Sequence, residues 1–242
     1  MQPDPVLHGL AGGLDRGRLC LHGVMIRLAL DTSSTRICAA VVEGETSRVS
    51  VGEDAGQRQG ESLAPLLERV LAESGVSAPD QVVVGVGPGP FTGLRVGLVS
   101  AAVLARVWEV PLVGVCSLDA YARRALRDLP GDEVAVVTDA RRREVYWALY
   151  DAAGRRTAGP HVDVPDVAAE AIAGIRVVGH GALQYRTAFE AAGCLVAGPE
   201  FLDAADLALA LDDRPESELP PLPLYLRRPD ATEPGPRKRV GT

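Results

Sequence analysis

Cysteine is scarce in this sequence, with four residues in a chain of 242. Cys20, Cys38, Cys116 and Cys194 lie far apart and form no C-x-x-C pair, the spacing that structural zinc sites use. They also lack the dense spacing of a disulfide framework. The sequence therefore indicates neither a zinc site nor a disulfide framework, and the reducing cytoplasm is the expected compartment.

The sequence also lacks a net positive charge and long apolar runs. The formal net charge is -7, whereas affinity for RNA comes mainly from lysines and arginines that neutralise phosphates. We therefore do not expect this chain to bind nucleic acid alone. No apolar run reaches the roughly 20 residues of a membrane helix, because Arg95 and Arg106 interrupt or end the best candidate. A membrane protein is excluded on this basis.

The first 24 residues lack the charged start, apolar centre and small-residue cleavage site of a signal peptide. Met25 directly precedes a strong strand pattern. We therefore expect the biological start at Met25, with residues 1–24 as an extra or unstructured leader. Residues 233–242 contain Arg237, Lys238 and Arg239 and are expected to form a basic tail, for which solubility is the simplest role.

A strand–turn–strand pattern occurs twice in the chain. In residues 26–42 an apolar run ends at Asp31, and a second run follows a polar turn; residues 134–150 repeat this arrangement around Asp139. The two blocks align without a gap, which superposes Asp31 on Asp139, Ile37 on Val145, Ala40 on Ala148 and Val42 on Tyr150.

Each block is followed by further helices and strands, which predicts a duplicated α/β fold with two similar halves. The halves are expected at residues 25–128 and 129–232. The first half has further predicted strands over 47–51, 82–86 and 112–115 and helices over 62–74 and 92–108. The second half has predicted helices over 167–173 and 182–192 and a strand over 176–178.

The two predicted helices of the first half are candidates for a partner interface. Helix 62–74 has one apolar stripe at core-facing spacing, and Gly75 supplies a C-terminal stop. Helix 92–108 is apolar nearly all round and has small residues at every fourth position, which let another helix approach closely. We expect the helices to pack together and to contact another subunit. The candidate interface residues are Leu63, Leu66, Leu67, Val70, Gly93, Leu94, Gly97, Leu98, Ala101 and Ala105.

The segment GVGPGPFTGLRVG, residues 85–97, has the position of a phosphate-binding loop, after a strand and before a helix. A Walker A loop needs a lysine after its last glycine, but Gly93 is followed by Leu94. Two prolines remove backbone donors, and the third glycine of a dinucleotide fingerprint falls one place late. The segment is predicted instead to be a tight turn, with Thr92 as the helix N-cap.

No catalytic constellation is found, and no metal site is predicted, because no two histidines have the i, i+4 spacing of a helical metal site. Asp31 and Asp139 are the carboxylates placed where an actin-like ATPase needs them. Neither is followed by the glycine that close phosphate approach requires, so turn capping is their expected role. Nucleotide binding between the halves stays an alternative, with Asp31, Asp139 and Arg141 as weak candidates and the run 141–143 touching phosphates.

Five ordered segments resemble the TsaB (YeaZ) family over nearly everything from Met25 to about residue 232. They are IRLALDTSS at 26–34, GPGPFTGLRVG at 87–97, VPLVGVCSLDAYA at 110–122, DARRREVYWALY at 139–150 and PLYLRRPDA at 223–231. The sequence departs from the family at Gln59 and Gly60, where His-Ser is usual before the glutamate.

The resemblance implies a duplicated actin-like, sugar-kinase-like (ribonuclease H-like) fold and a non-catalytic subunit. Such a subunit binds and activates the homologous subunit TsaD, which holds the metal and the active site. With the ATPase TsaE, the complex transfers a threonylcarbamoyl group to the tRNA adenosine next to the anticodon. The family's TsaD contact uses its first two helices. Binding of tRNA only through the complex, a homodimer in isolation and no cofactor are also expected.

Two enzyme classes remain as alternatives. An ATP-dependent small-molecule kinase of the same fold requires glycine-bearing phosphate turns, and a metallopeptidase-like enzyme requires a histidine-based metal site; the sequence shows neither. For the interface itself, Gly97→Trp is expected to abolish co-purification with TsaD while leaving the isolated fold largely intact.

Overall fold

The computed structural model describes residues 23–56, 58–131 and 133–227. The strands are β1 (Ile26–Asp31), β2 (Arg36–Glu43), β3 (Thr46–Asp54), β4 (Gln81–Gly85), β5 (Leu112–Val115), β6 (Val134–Asp139), β7 (Val145–Tyr150), β8 (Arg156–Asp163), β9 (Arg176–Val178) and β10 (Leu195–Val196). The helices are α1 (Gln59–Ser74), α2 (Phe91–Trp108), α3 (Ser117–Asp128), α4 (Pro165–Ala171), α5 (His180–Gln184), α6 (Arg186–Ala191) and α7 (Ala204–Asp213). The predictions for residues 1–22 and for the tail 233–242 lie outside the described residues.

The strands form two five-stranded sheets with the same topology. The first has the order β3-β2-β1-β4-β5, and the second, read in the same direction, has the order β8-β7-β6-β9-β10. In each sheet the first three strands are antiparallel, and the last three run parallel to one another. The duplicated α/β architecture predicted from the repeated block is therefore confirmed. The division at residues 128 and 129 stays a prediction, since α7 returns to the first half and packs on β1 and β2.

Helices and sheets alternate in five layers with three apolar cores. A first outer core lies between α1, α2 and the first sheet and includes Leu30 and Leu66. A central core, containing Ala29 and Val136, lies between the two sheets and is filled by α3 and α7. A second outer core, containing Val137, lies between the second sheet and α4, α5 and α6. Both sheets are thus covered on both faces, as their nearly continuous apolar strands require.

The turns of the two equivalent hairpins, β1–β2 and β6–β7, differ in length by one residue. Asp31 pairs with Cys38, which faces the central core, whereas Asp139 pairs with Val145, which faces the second outer core. Because paired residues lie on the same face of a sheet, a shift of one residue reverses the face. Asp31 and Asp139 therefore lie on opposite faces, and the superposition of one on the other was wrong. By register and face, the equivalent of Asp31 is Thr138.

Most predicted elements exist within a few residues of the expected bounds, but four were missed. The unpredicted elements are α3, β8, β10 and α7. The helix predicted over 182–192 is divided at Tyr185 into α5 and α6. Gly75 ends α1 in a left-handed conformation, as expected, whereas α2 begins at Phe91 with Pro90 at the N-cap position, so Thr92 is not the cap.

One helix of the described residues, α2, has the length and apolarity of a membrane-crossing helix. Its 18 residues have a mean hydropathy of 1.3. By length and composition alone, the expectation that no apolar run could cross a membrane therefore does not hold. A core helix of a soluble protein passes the same test. In this fold α2 lies against the first sheet, with Leu94 and Leu98 in the first outer core. Burial of this face accounts for part of its apolar composition, since 39% of the helix is buried.

Candidate partner-binding face

The row of small residues on α2 faces the inside of the protein. The hydroxyl of Thr32 donates a hydrogen bond to the carbonyl of Gly93 at 2.7 Å and accepts one from the N–H of Gly97 at 3.1 Å. A Cβ atom at Gly97 would lie 2.3 Å from this hydroxyl oxygen, and one at Gly93 would lie 2.7 Å from the carbonyl oxygen of Thr32. The glycines therefore allow α2 to approach the β1–β2 turn, rather than a helix of another subunit.

All ten residues predicted for the interface are buried within this chain. Leu63, Leu66, Leu67, Val70, Gly93, Leu94, Gly97, Leu98, Ala101 and Ala105 face the first sheet or the contact between α1 and α2. They support the two helices but offer no exposed contact surface. The expectation that Gly97→Trp leaves the isolated fold largely intact does not hold, because an indole at this position would displace Thr32 and disturb the fold.

The opposite face of α2 exposes an apolar stripe to solvent. Its members recur every four or eight residues, and their exposed fractions are 40% for Phe91, 51% for Val99, 56% for Val103 and 70% for Val107. The guanidinium of Arg95 lies 5.2 Å from the ring centroid of Phe91. The stripe is about 24 Å long at 1.5 Å per residue. The periodicity of α2 was visible in the sequence, but which side is covered depends on the sheet.

The C-terminal segment extends this stripe at the N-terminal end of α2. Leu219 forms an antiparallel bridge with Gly114 of β5, and the N–H of Leu224 donates to the carbonyl of Val86 at 2.8 Å. The ring of Tyr225 then stacks on Phe91, with 5.0 Å between centroids. Phe91, Tyr225 and the exposed valines of α2 together form one continuous surface, the candidate partner-binding face.

The β1–β2 turn, where a phosphate would approach an actin-like site, is closed by the chain itself. One carboxylate oxygen of Asp31 accepts hydrogen bonds from the N–H and hydroxyl of Ser33 at 2.7 and 2.6 Å, and the other accepts one from the hydroxyl of Ser117 at 2.5 Å. A Cβ at Gly89 would lie 2.5 Å from the carbonyl oxygen of Ser33, so the GPGP loop packs directly on the turn. Burial raises the pKa of Asp31, although these hydrogen bonds act in the opposite direction.

Comparison with known proteins identifies the family. The family model described as TsaD, tRNA N6-adenosine threonylcarbamoyltransferase, matches residues 50–198. The solved structure of YeaZ from Pseudomonas aeruginosa superposes with a TM-score of 0.68 at 30% identity, covering 84% of this chain and 100% of that chain. The chain belongs to the TsaB/YeaZ family.

Two relatives show how far this similarity extends. An uncharacterised protein of Mycobacterium tuberculosis (strain ATCC 25618 / H37Rv) is 40% identical over 211 residues, which cover 84% of this chain and 92% of that protein. The tRNA threonylcarbamoyladenosine biosynthesis protein TsaB of Escherichia coli (strain K12) is 34% identical over 125 residues, 51% of this chain and 54% of that protein. Membership of the TsaB/YeaZ family connects this chain with the biosynthesis of threonylcarbamoyladenosine in tRNA.

The β6–β7 turn of this TsaB/YeaZ family member differs from the closed β1–β2 turn. Asp139 accepts a hydrogen bond from the N–H of Arg141 at 3.0 Å, and its other carboxylate oxygen lies 3.7 Å from the guanidinium of that residue. Arg141, Arg142 and Arg143 are all exposed. The predicted nucleotide candidates Asp31 and Asp139 therefore have different surroundings, one buried and one next to an exposed basic turn.

No group of three or more histidine, cysteine, aspartate or glutamate side chains in the described part of the chain is arranged to hold a metal ion. The cysteines of this part, Cys38, Cys116 and Cys194, are buried thiols. Burial raises the pKa of Cys116 to about 12, and the carboxylate of Asp119 contributes to the rise. A thiol with such a pKa is a packing residue, because reactivity requires the thiolate.

Proposed function

We propose that this chain is a non-catalytic, cytoplasmic subunit that binds and activates a TsaD-type catalytic subunit. With a TsaE-type ATPase, the assembly transfers the threonylcarbamoyl group to the tRNA adenosine next to the anticodon. The observation that carries this proposal is the exposed apolar stripe of α2, in a chain whose relatives are named for this pathway.

The partner-binding face has the composition of a protein interface. Exposed apolar patches of this kind mark interaction sites, and aromatic and arginine residues are enriched in protein interfaces. Phe91, Tyr225 and Arg95 lie together at one end of the stripe, and Val99 and Val103 continue it. A partner helix packed on α2 would remove these side chains from water.

The closed β1–β2 turn supports the non-catalytic part of the proposal. An actin-like kinase needs the strand-end carboxylate and the following backbone to be accessible to phosphate and its metal ion. Here Asp31 is buried, and its oxygens are occupied by Ser33 and Ser117. This favours a supporting subunit over the alternative of a small-molecule kinase.

Substitution of an exposed valine tests partner binding without changing the buried core. Val103→Asp places a carboxylate in the middle of the stripe, where an interface would bury it without a counterion. We expect a rise in the Kd for the TsaD-type subunit by about tenfold or more, measured after co-expression and by titration. Val167→Asp is the matched control, because Val167 is an equally accessible helical valine of the second half.

The same variants test activity and self-association. In a reconstituted reaction with the TsaD-type and TsaE-type subunits, we expect threonylcarbamoyl transfer to tRNA to require this chain and to fall with Val103→Asp but not with Val167→Asp. We also expect the isolated chain to form a homodimer through the same face, which Val103→Asp dissociates in sedimentation measurements. Equal affinity of both variants for the TsaD-type subunit would contradict the assigned face, and full transfer without this chain would contradict the function.

A further inference from the structure

The turn between β6 and β7 has an unusual backbone conformation for its sequence. Arg141, Arg142 and Arg143 have φ angles of 61°, 54° and 61°. Left-handed backbone is disfavoured for every residue that has a side chain, and glycine adopts it most readily. Glycine would therefore close this hairpin most easily, yet the chain carries arginine at all three positions. Strained residues of this kind concentrate at functional sites, so the three arginine side chains are candidates for a function.

The surrounding contacts hold this turn in one conformation. The N–H of Ala140 donates to the carbonyl of Glu144 at 2.9 Å, and the N–H of Glu144 donates to the carbonyl of Arg141 at 3.0 Å. Arg227, from the C-terminal segment, donates to the carbonyl of Ala140 at 2.8 Å, pairs with the carboxylate of Glu144 and lies over the ring of Tyr146. The turn is thus connected to the same C-terminal segment that contributes Tyr225 to the partner-binding face.

The turn is a local basic site on an acidic protein. Arginines outnumber carboxylates in this short segment of a chain whose net charge is -7: Arg141, Arg142, Arg143 and Arg227 lie near Asp139 and Glu144 in the turn and in the segment that packs on it. Glu144 is engaged by Arg227 and Asp139 by Arg141. The side chains of residues 141–143 are exposed on the hairpin tip, where an extended polyanion has access from solvent.

We propose that the turn Arg141–Arg143 contacts the phosphate backbone of RNA. A guanidinium presents paired N–H donors that match phosphate oxygens, and contacts of this kind position a nucleic acid without reading its sequence. The identification of the RNA as tRNA rests on the proposed function. The chain as a whole repels RNA, so the turn adds phosphate contacts to a complex that already holds tRNA through its other subunits.

The test replaces the three arginines with glycine. Because glycine relieves the left-handed strain, the Arg141→Gly, Arg142→Gly, Arg143→Gly variant is expected to keep its fold and its affinity for the TsaD-type subunit. Affinity of the complex for tRNA is measured by fluorescence anisotropy over a series of salt concentrations. The slope of log K against log salt is negative, and its magnitude is expected to decrease by about 2, at about 0.7–0.9 for each lost phosphate contact. We expect a roughly tenfold loss of affinity at low salt.

The control removes the same charge elsewhere. Arg48, Arg155 and Arg186 are exposed and paired with Glu43, Asp151 and Glu190, and their joint substitution with glutamine is expected to leave the slope unchanged. An unchanged slope in the glycine variant, or an equal fall in the control, overturns the inference. Loss of Mg-ATP binding with unchanged tRNA binding also overturns it, in favour of a nucleotide site.

Failure of the proposed function gives a different result. If the wild-type chain does not associate with the TsaD-type subunit, the proposed function fails, and the glycine variant is then compared with the control for RNA binding by the chain alone at low salt. A difference between these two variants supports the phosphate contact, and equal binding overturns it.

Discussion

The hydroxyl of Thr32 accepts a hydrogen bond from the backbone N–H of Gly97, at 3.1 Å, in the second turn of α2. The same hydroxyl donates to the carbonyl of Gly93, four residues earlier. Thr32 therefore inserts its side chain between two backbone groups that normally bond to each other in a helix. This contact joins α2 to the β1–β2 turn and sets which face of the helix remains for a partner.

Gly97→Ala is expected to destabilise the protein. A Cβ atom would lie 2.3 Å from the hydroxyl oxygen of Thr32, and such overpacking costs about 1–3 kcal/mol. Chemical denaturation of the isolated chain measures the change in the free energy of unfolding. Gly60→Ala in α1 is the control, because its Cβ would meet only a methyl group of Val96 at 3.9 Å. If both variants are as stable as the wild type, the close approach at Gly97 is not a packing constraint.

Protonation of Asp31 is expected to make the protein more stable as the pH falls through the raised pKa of this carboxyl group. Burial raises the pKa of Asp31 above its ordinary value of 3.8, so the native state binds a proton at a higher pH than the unfolded chain does. The free energy of unfolding therefore rises on acidification through the raised pKa and stops changing below 3.8. The measurement is the difference in stability between the wild type and Asp31→Asn at each pH.

Asp151 provides a control of opposite sign for this experiment. A hydrogen bond from the backbone N–H of Arg155 is the main cause that lowers the pKa of Asp151 below 3.8. Its stabilising contribution is present above that pH and is lost as the pH falls through the lowered value. The stability difference between the wild type and Asp151→Asn should therefore decrease in acid. The same trend for both aspartates would show that the burial of Asp31 does not dominate its pKa.

Tyr150→Phe is expected to loosen the contact between α3 and the second sheet. The hydroxyl of Tyr150 in β7 donates to the carboxylate of Asp119 in α3 at 2.7 Å, and both residues are buried. Removal of this donor leaves the carboxylate oxygen with the guanidinium of Arg156 at 3.6 Å. Loss of a buried hydrogen bond to a charged group costs about 1–3 kcal/mol. Tyr185→Phe serves as the control, because no side-chain hydrogen bond joins Tyr185 to other described residues. Thermal unfolding of both variants measures the difference, and an equal Tm would contradict the role of this bond.

The Asp31 and Asp139 pair illustrates where sequence comparison reaches its limit. The repeated strand–turn–strand block was sufficient to predict the duplication, because two apolar runs separated by a polar turn are visible locally in the sequence. The gapless alignment nevertheless superposed two carboxylates that lie on opposite sheet faces. The second turn has one additional residue, which moves every side chain of the preceding strand to the other face of the sheet. An alignment of apolar runs does not show which residues of the two strands pair, so it does not show this difference in turn length.

The sequence by itself determined the family and the order of most strands and helices. It also showed that α2 is apolar on more sides than a single packing partner can cover. Tertiary structure alone decided which side of α2 is buried, since Gly97 and Val99 belong to the same apolar helix and differ only in what the sheet places beside them. Thr32 requires the glycines at close range, so the small residues face inward and the valines face solvent. The identity of a contact surface depends on this long-range packing, which local periodicity does not encode.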